Sequence, residues 1–335
     1  MSYKHLSITE REKILFHLSL GLSICQIAKI LGRNKSTISR ELKRNSSEYL
    51  PSKAQANYHK RRKKSCRHKL LAKPELFALV KKLFLELRWS PEQIAARLKL
   101  ENYPIQISSK TIYRAIYAGM FDTTEQHRSK GNRRAIRHLR HRGKSRHSKN
   151  YEEKRGKFPI SNELSARPAV ANERTRFGDF EADTILGQPG KACLLTLVDR
   201  KSRFLISRLL AKKNSTLVAQ AIVDALKNET VYSITPDRGK EFSKHAQITT
   251  ATGFDFYFPL PHQPWQRGTN ENTNGLLREF FPKSYDFNKL NDADLQVVVD
   301  QLNQRPKKCL GYRTPWEIYF STSLHFTWLL NPKKY

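Results

Sequence analysis

The chain has 335 residues, with 62 Lys+Arg against 30 Asp+Glu and a formal net charge of +32, an excess that points to a polyanionic partner. Hydrophobic residues at 38% and aromatic residues at 10% are enough to bury cores, which excludes a wholly disordered basic protein. The N-terminus has no apolar signal core and no stretch approaches the roughly 20 apolar residues of a membrane span, so a cytoplasmic chain is expected.

Cys25, Cys66, Cys193 and Cys309 are scattered without C-x-x-C spacing, which argues against a disulfide framework or a cysteine-based zinc site. Charge is uneven: residues 1–157 carry a net +26 and residues 158–335 a net +6. The pattern divides the chain into helical units at 1–60 and 61–126, a basic arm at 127–165 and a mixed α/β domain at 166–335.

The first predicted helix spans 9–20, with Ile14, Leu15, Leu18 and Leu20 near helical spacing and Gly21 ending it. Ser23 and Gln26 form a capping box that opens a second helix, with Ile27, Ile30 and Leu31 as its inward stripe before Gly32. Asn34 starts a third, in which Ile38 and Leu42 face inward and Lys35, Ser36, Thr37, Ser39, Arg40 and Lys43 stay outside. A short exposed helix offering hydroxyls and cations, braced by the helix before it, is the pattern of a helix-turn-helix recognition helix. An ordinary three-helix bundle with a solvated basic face is the alternative.

A degenerate repeat favours the DNA-binding reading. Gln26-Ile27-Ala28 with Thr37-Ile38-Ser39-Arg40 is echoed by Gln93-Ile94-Ala95 with Thr111-Ile112-Tyr113-Arg114, the intervening stretch being 7 residues longer in the second copy. The second copy opens with Ser90 as cap and Pro91 at the first helical position, and offers Lys110, Thr111 and Arg114 outward. Residues 60–64 (KRRKK) lie between the copies, and residues 128–157 hold 13 Lys+Arg and 2 acids. That arm has almost nothing to bury and suits counterion release along phosphates. Its histidines, with His127 just before them, lack the paired cysteines or carboxylates that would complete a zinc tetrahedron.

In the second half, strands are predicted at 177–186, 192–198 and 204–210, a helix at 215–226, a strand at 231–235, then a helix and a strand at 254–258. Three antiparallel strands followed by helix, strand, helix and strand is the order of the ribonuclease-H-like fold. Asp183 lies on the first strand, Asp237 at the end of the fourth, and Glu271 in the segment GTNENTNG at 268–275, with 53 and 33 residues between successive acids. On a helix over 271–281, Glu271, Asn274, Gly275 and Arg278 share a face opposite Leu276, Leu277, Phe280 and Phe281. In-line phosphodiester chemistry with two divalent cations about 3.5–4 Å apart asks for such oxygen ligands, and converging acids in so basic a chain have no other electrostatic use. Glu181 shares its strand face with Asp179 and Asp183 and is either a rival ligand or a helper behind the ligands. Asp199 reads as a turn former, and Glu241 as orienting Arg238 or Lys240.

These stretches together identify a resemblance to the IS-thirty (insertion sequence thirty) family of bacterial DDE transposases. It rests on ITEREK at 8–13, the repeat, FEADTI at 180–185, TPDRGKEF at 235–242, PWQRGTNENTNGLLR at 264–278 and LNQRPKKCLGYRTPWE at 302–317. The resemblance implies tandem helix-turn-helix units ahead of an integrase-type catalytic domain, with Asp183, Asp237 and Glu271 as catalytic acids and ligands of two Mg²⁺ ions, Mn²⁺ substituting. It places Glu181 behind them. It further implies binding of terminal inverted repeats and target DNA as a homo-oligomer in the bacterial nucleoid, with Arg267 and Arg278 gripping scissile-strand phosphates. Phe180 stands where the family commonly has Trp, and Arg238 where many DDE enzymes have Asn; neither removes a ligand. A regulator that lost the chemistry, and a retroviral-type integrase, are the competing readings; the intact acid trio and the lack of a His/Cys zinc module disfavour them.

Overall fold

A computed structural model describes residues 5–45, 48–65, 70–122, 134–139, 158–188, 192–260 and 268–325. It contains two compact units that divide between Ala72 and Lys73. In the first, α1 (Ile8–Ser19), α2 (Ile24–Ile30) and α3 (Lys35–Arg44) close on Leu6, Ile14, Ile27, Ala28 and Ile38, and α4 (Pro51–Ser65) packs against α1. The Ser23/Gln26 capping box forms as expected, and a second one, Ser7 with Glu10, starts α1. Ile30 faces outward instead of inward, and Leu15 and Leu20 are exposed as well. The inward slot one turn before Ile14 is filled by Arg11, which is buried against Glu41 at 2.7 Å and donates to the Leu6 carbonyl. The expected boundary at 60/61 falls inside α4.

The second unit opens with α5 (Pro74–Leu85), absent from the sequence reading, which buries Leu76, Leu79, Val80, Leu83 and Phe84. Next come α6 (Pro91–Leu100) and α7 (Ser109–Tyr117). The repeat extends to the caps: Ser90 and Gln93 reproduce the box of Ser23 and Gln26, and Ser108 caps α7 as Asn34 caps α3. Part of the stretch expected to be a coreless arm is packed. Arg134–His138 form a 3-10 turn whose Ala135 is buried and donates its N–H to Asp122 Oδ1 at 3.1 Å. Most of the arm, with His127, His141 and His147, lies outside the described residues.

The sheet starts earlier than the expected 166. β1 (Asn162–Glu163) precedes α8 (Ala169–Glu173), and β2 (Asp179–Leu186), β3 (Cys193–Asp199) and β4 (Leu205–Leu210) form the antiparallel meander. Then follow α9 (Ser215–Leu226), β5 (Ser233–Thr235), α10 (His245–Thr252), β6 (Asp255–Phe258) and α11 (Gly268–Phe280). The unit closes with α12 (Asp292–Asn303) and α13 (Pro315–Tyr319). The sheet order is β1-β6-β5-β2-β3-β4, with β5 parallel to β2, β6 parallel to β5, and β1 added in parallel at the β6 edge. This is the expected ribonuclease-H-like arrangement. One face carries the core of Phe180, Leu195, Val218, Ile222 and Ile248 under α9 and α10; the other carries Ile185, Leu194, Leu276, Leu277 and Val299 under α11 and α12.

Gly178, just before β2, has φ +87, and a Cβ there would run into the Thr230 carbonyl oxygen. We expect Gly178→Ala to destabilise the second unit by about 2 kcal/mol or more, measured by denaturant unfolding.

α6 is clasped to the sheet end of the unit. Arg97, 3% exposed, forms a bidentate pair with Glu317 of α13 at 2.6 and 2.7 Å and also binds Glu101 at 2.6 Å. Gln93 donates to the Pro306 carbonyl at 2.6 Å, and Arg305 pairs with Glu279 at 2.9 Å. The second helix-turn-helix is thus built into the same compact body as the sheet rather than forming the separate domain expected at 61–126.

Candidate active site

Strand alternation sends Phe180 and Ala182 into one core and turns Asp179, Glu181 and Asp183 to the face covered by α11. The first two acids are spent on structure. Asp179 accepts from Arg176 at 2.8 Å and from Ser233 at 2.6 Å. Glu181, fully buried, pairs with Arg200 through Oε1 and accepts the Asn270 N–H through Oε2 at 2.9 Å. Both its oxygens are engaged, and they anchor the first turn of α11 to β2.

Asp183 differs. It is half-buried, with Oδ1 accepting from the Thr184 N–H at 2.8 Å and Oδ2 from the Asn274 side-chain amide at 3.0 Å. Thr196, directly opposite on β3, donates to Asn274 Oδ1 at 3.1 Å and so orients that amide. The parallel register pairs Glu181 with Thr235; two residues further along both strands stand Asp183 and Asp237. Neighbouring strands run about 4.8 Å apart, so continuing that register past Thr235 would set the two aspartates abreast. Asp237 Oδ1 accepts the Gly239 N–H at 2.8 Å, which holds the loop after β5.

Glu271 stands in the first turn of α11, exposed, one turn before Asn274 and on the same helix face. The fold thus sets Asp237 two residues past the end of β5, the strand beside the one that bears Asp183, and lays α11, which bears Glu271, against Asp183. Among the described residues no three His, Cys, Asp or Glu side chains are gathered to hold a metal ion. The donor chemistry fits a hard divalent cation, since every candidate ligand is a carboxylate oxygen and the Oδ2 that Asn274 engages keeps a further lone pair.

The remaining acids have other work. Asp199 accepts from the Ser202 and Gly178 N–H groups and makes the turn before β4, and burial pushes its carboxyl up. Glu241 does not orient Arg238 or Lys240: it binds Lys213 at 2.6 Å and Thr184 at 3.0 Å, while Arg238 donates to the Pro259 carbonyl. Arg278 donates to the Leu186 carbonyl at 2.6 Å at the end of β2, and burial lowers its pKa. Arg267 lies outside the described residues. The sequence reading missed Asn270 and Thr196. Their signal was the run of polar residues Thr269, Asn270 and Thr273 on the buried side of α11.

A helix-turn-helix domain family matches residues 2–45. The transposase for insertion sequence element IS4351 of Bacteroides fragilis is 36% identical, over 94% of this chain and 95% of its own. The transposase InsI for insertion sequence element IS30C of Escherichia coli K12 is 38% identical, over 94% and 83%. The chain belongs to the IS-thirty family of insertion-sequence transposases. Of solved structures, the catalytic core domain of BIV integrase is 20% identical with a TM-score of 0.36, covering 43% of this chain and 93% of that one.

The helices of this transposase that are candidates for DNA contact are presented as expected. On α3, Lys35, Ser36, Arg40 and Lys43 are exposed and Thr37 half-buried, around a buried Ile38. On α7, Lys110 and Arg114 are exposed and Thr111 half-buried, around a buried Ile112. Among the described residues no helix is long and apolar enough to cross a membrane.

Proposed function

We propose that this transposase binds the terminal inverted repeats of its element, cuts at their ends and joins the freed 3′ ends to target DNA, with Asp183, Asp237 and Glu271 as ligands of two Mg²⁺ ions that Mn²⁺ can replace. The parallel register of Glu181 with Thr235, two residues before Asp183 and Asp237, and the bond of Asn274 from the Glu271 helix to Asp183 support this reading. Two divalent ions held there supply an activated attacking oxygen and a stabilised leaving oxygen for an in-line displacement. The chain supplies the frame. Thr196 orients Asn274, Asn274 fixes one Asp183 oxygen, and Glu181 with Arg200 sets the turn from which Glu271 reaches the aspartates. Three carboxylates repel one another without cations between them, and divalent ions bound by Asp183, Asp237 and Glu271 would offset that repulsion.

DNA is held by Lys35, Ser36, Thr37, Arg40 and Lys43 of α3 and by Lys110, Thr111 and Arg114 of α7, with Arg267 and Arg278 near the scissile strand. Two element ends must be held at once, which calls for a homo-oligomer on DNA. Strand transfer on oligonucleotides bearing the element's ends tests this function: joined products are expected with Mg²⁺ or Mn²⁺ and none with chelator. Tight end binding with no joining under any divalent ion would establish a DNA-binding regulator instead. The full-length chain should also lose end affinity steeply as salt rises, in a filter-binding series, whereas a flat response would contradict phosphate contacts.

A further inference from the structure

On the side of α11 turned away from Glu271, Thr269, Thr273 and Leu276 border a cavity of about 630 Å³, open to solvent and walled also by the start of α6. Arg174, Arg203, Arg305, Lys307 and Lys308 line it, and the one acid on its wall, Glu92, is taken by the Tyr113 hydroxyl at 2.8 Å. Arg305 is compensated by Glu279. The side chains of Arg174 and Lys308 form no hydrogen bond or ion pair with any described residue. Arg203 reaches Thr269 with one terminal nitrogen, but its Nε is buried without a hydrogen-bond partner. Arg174 and Arg203 both hold left-handed backbone conformations, φ 61 and 65, at the end of α8 and in the turn before β4. Burial, and after it the neighbouring Arg203 and Arg200, lower the Arg174 pKa against the opposing pull of Glu181.

We propose that this cavity is a binding site for a backbone phosphate of the DNA duplex read by α7. Cations from the end of α8, the turn before β4 and the segment after α12 converge on one space, an arrangement that repels itself unless an anion enters. A phosphodiester presents the oxygens that a guanidinium fork and an ammonium take. The wall formed by α6 is the helix that braces α7, and Tyr113 of α7 bonds Glu92 at its rim. Duplex lying along α7 therefore has its backbone at the mouth of the cavity, and the phosphate ties the reading helix to the catalytic body.

This rests on the DNA-joining reading above. The test uses the full chain with Arg174→Asn and Lys308→Gln, singly and together. Asn tolerates the left-handed backbone at 174. Lys227→Gln, after α9 on the opposite face of the sheet, controls for net charge. End-duplex affinity is measured across a salt series, and again with the phosphates replaced one at a time by uncharged methylphosphonate. The double variant is expected to bind about tenfold weaker, with a salt slope flatter by about one. It should also be indifferent to methylphosphonate at one position where the parent chain is sensitive, and Lys227→Gln should match the parent. Parental affinity and an unchanged methylphosphonate profile in the double variant, with strand transfer intact, would overturn the site alone. A parent chain that neither binds nor joins end duplex would overturn the reading beneath it and the site together.

Discussion

Glu271→Gln should leave end-duplex affinity within about threefold of the parent while lowering Mg²⁺-dependent strand transfer by about 10³-fold or more. The contrast follows from where the residue sits. Glu271 is exposed in the first turn of α11 and its carboxylate makes no hydrogen bond to any described residue, so an isosteric amide removes charge without removing support. Exposed substitutions of that kind change stability by about 0.5 kcal/mol or less, so melting curves of the two chains should overlay. Glu181→Gln should behave differently, because Glu181 is buried and holds Arg200 and the Asn270 N–H. Its loss should lower thermal stability as well as transfer. Full strand transfer by Glu271→Gln would remove Glu271 from the reaction.

Arg97→Met should destabilise the second unit by about 3–5 kcal/mol, read as a shift in its denaturant transition. The guanidinium meets Glu317 with two nitrogens and reaches the Tyr312 and Leu324 carbonyls, so the apolar replacement strands a buried carboxylate. Burial by itself would raise the Glu317 pKa, but Arg97 and the Thr314 and Leu324 N–H groups outweigh it and bring it to about 2. A depressed carboxyl stabilises the fold fully above its ordinary value near 4.5 and loses that contribution as pH falls toward 2. The parent unit should therefore weaken over that acid window, and Arg97→Met should lack this component of the acid limb. Arg97→Met with Glu317→Gln should recover part of the lost stability, since Gln can still cap α13 without burying a charge.

What could be read from the residues alone followed the range of the interactions. Capping boxes act over three residues, so Ser23 with Gln26 and Ser90 with Gln93 were visible and mark the repeated helix starts correctly. The strands and the face of α11 followed from periodicity. Glu181 and Asp183, two residues apart on one strand face, could not be separated by pattern. Arg200 and Asn270, supplied from other elements, neutralise the first, and Asn274 meets the second. Ile30, apolar and on the expected inward stripe, faces solvent, whereas Arg11 holds an inward place through Glu41. The clasp of Arg97 on Glu317 joins residues 220 apart, and a contact of that separation leaves no local mark. For the same reason the second helix-turn-helix reads as a separate domain and folds as part of the catalytic body.

Asp183, Asp237 and Glu271 are proposed to hold divalent ions against DNA. An electron paramagnetic resonance titration of Mn²⁺ into the full chain on its end duplex tests it most directly, with Asp183→Asn alongside. Two bound, magnetically coupled ions per chain in the parent complex, lost in Asp183→Asn while the duplex stays bound, is the predicted result. Equal Mn²⁺ binding by both complexes, or none by the parent, would contradict it.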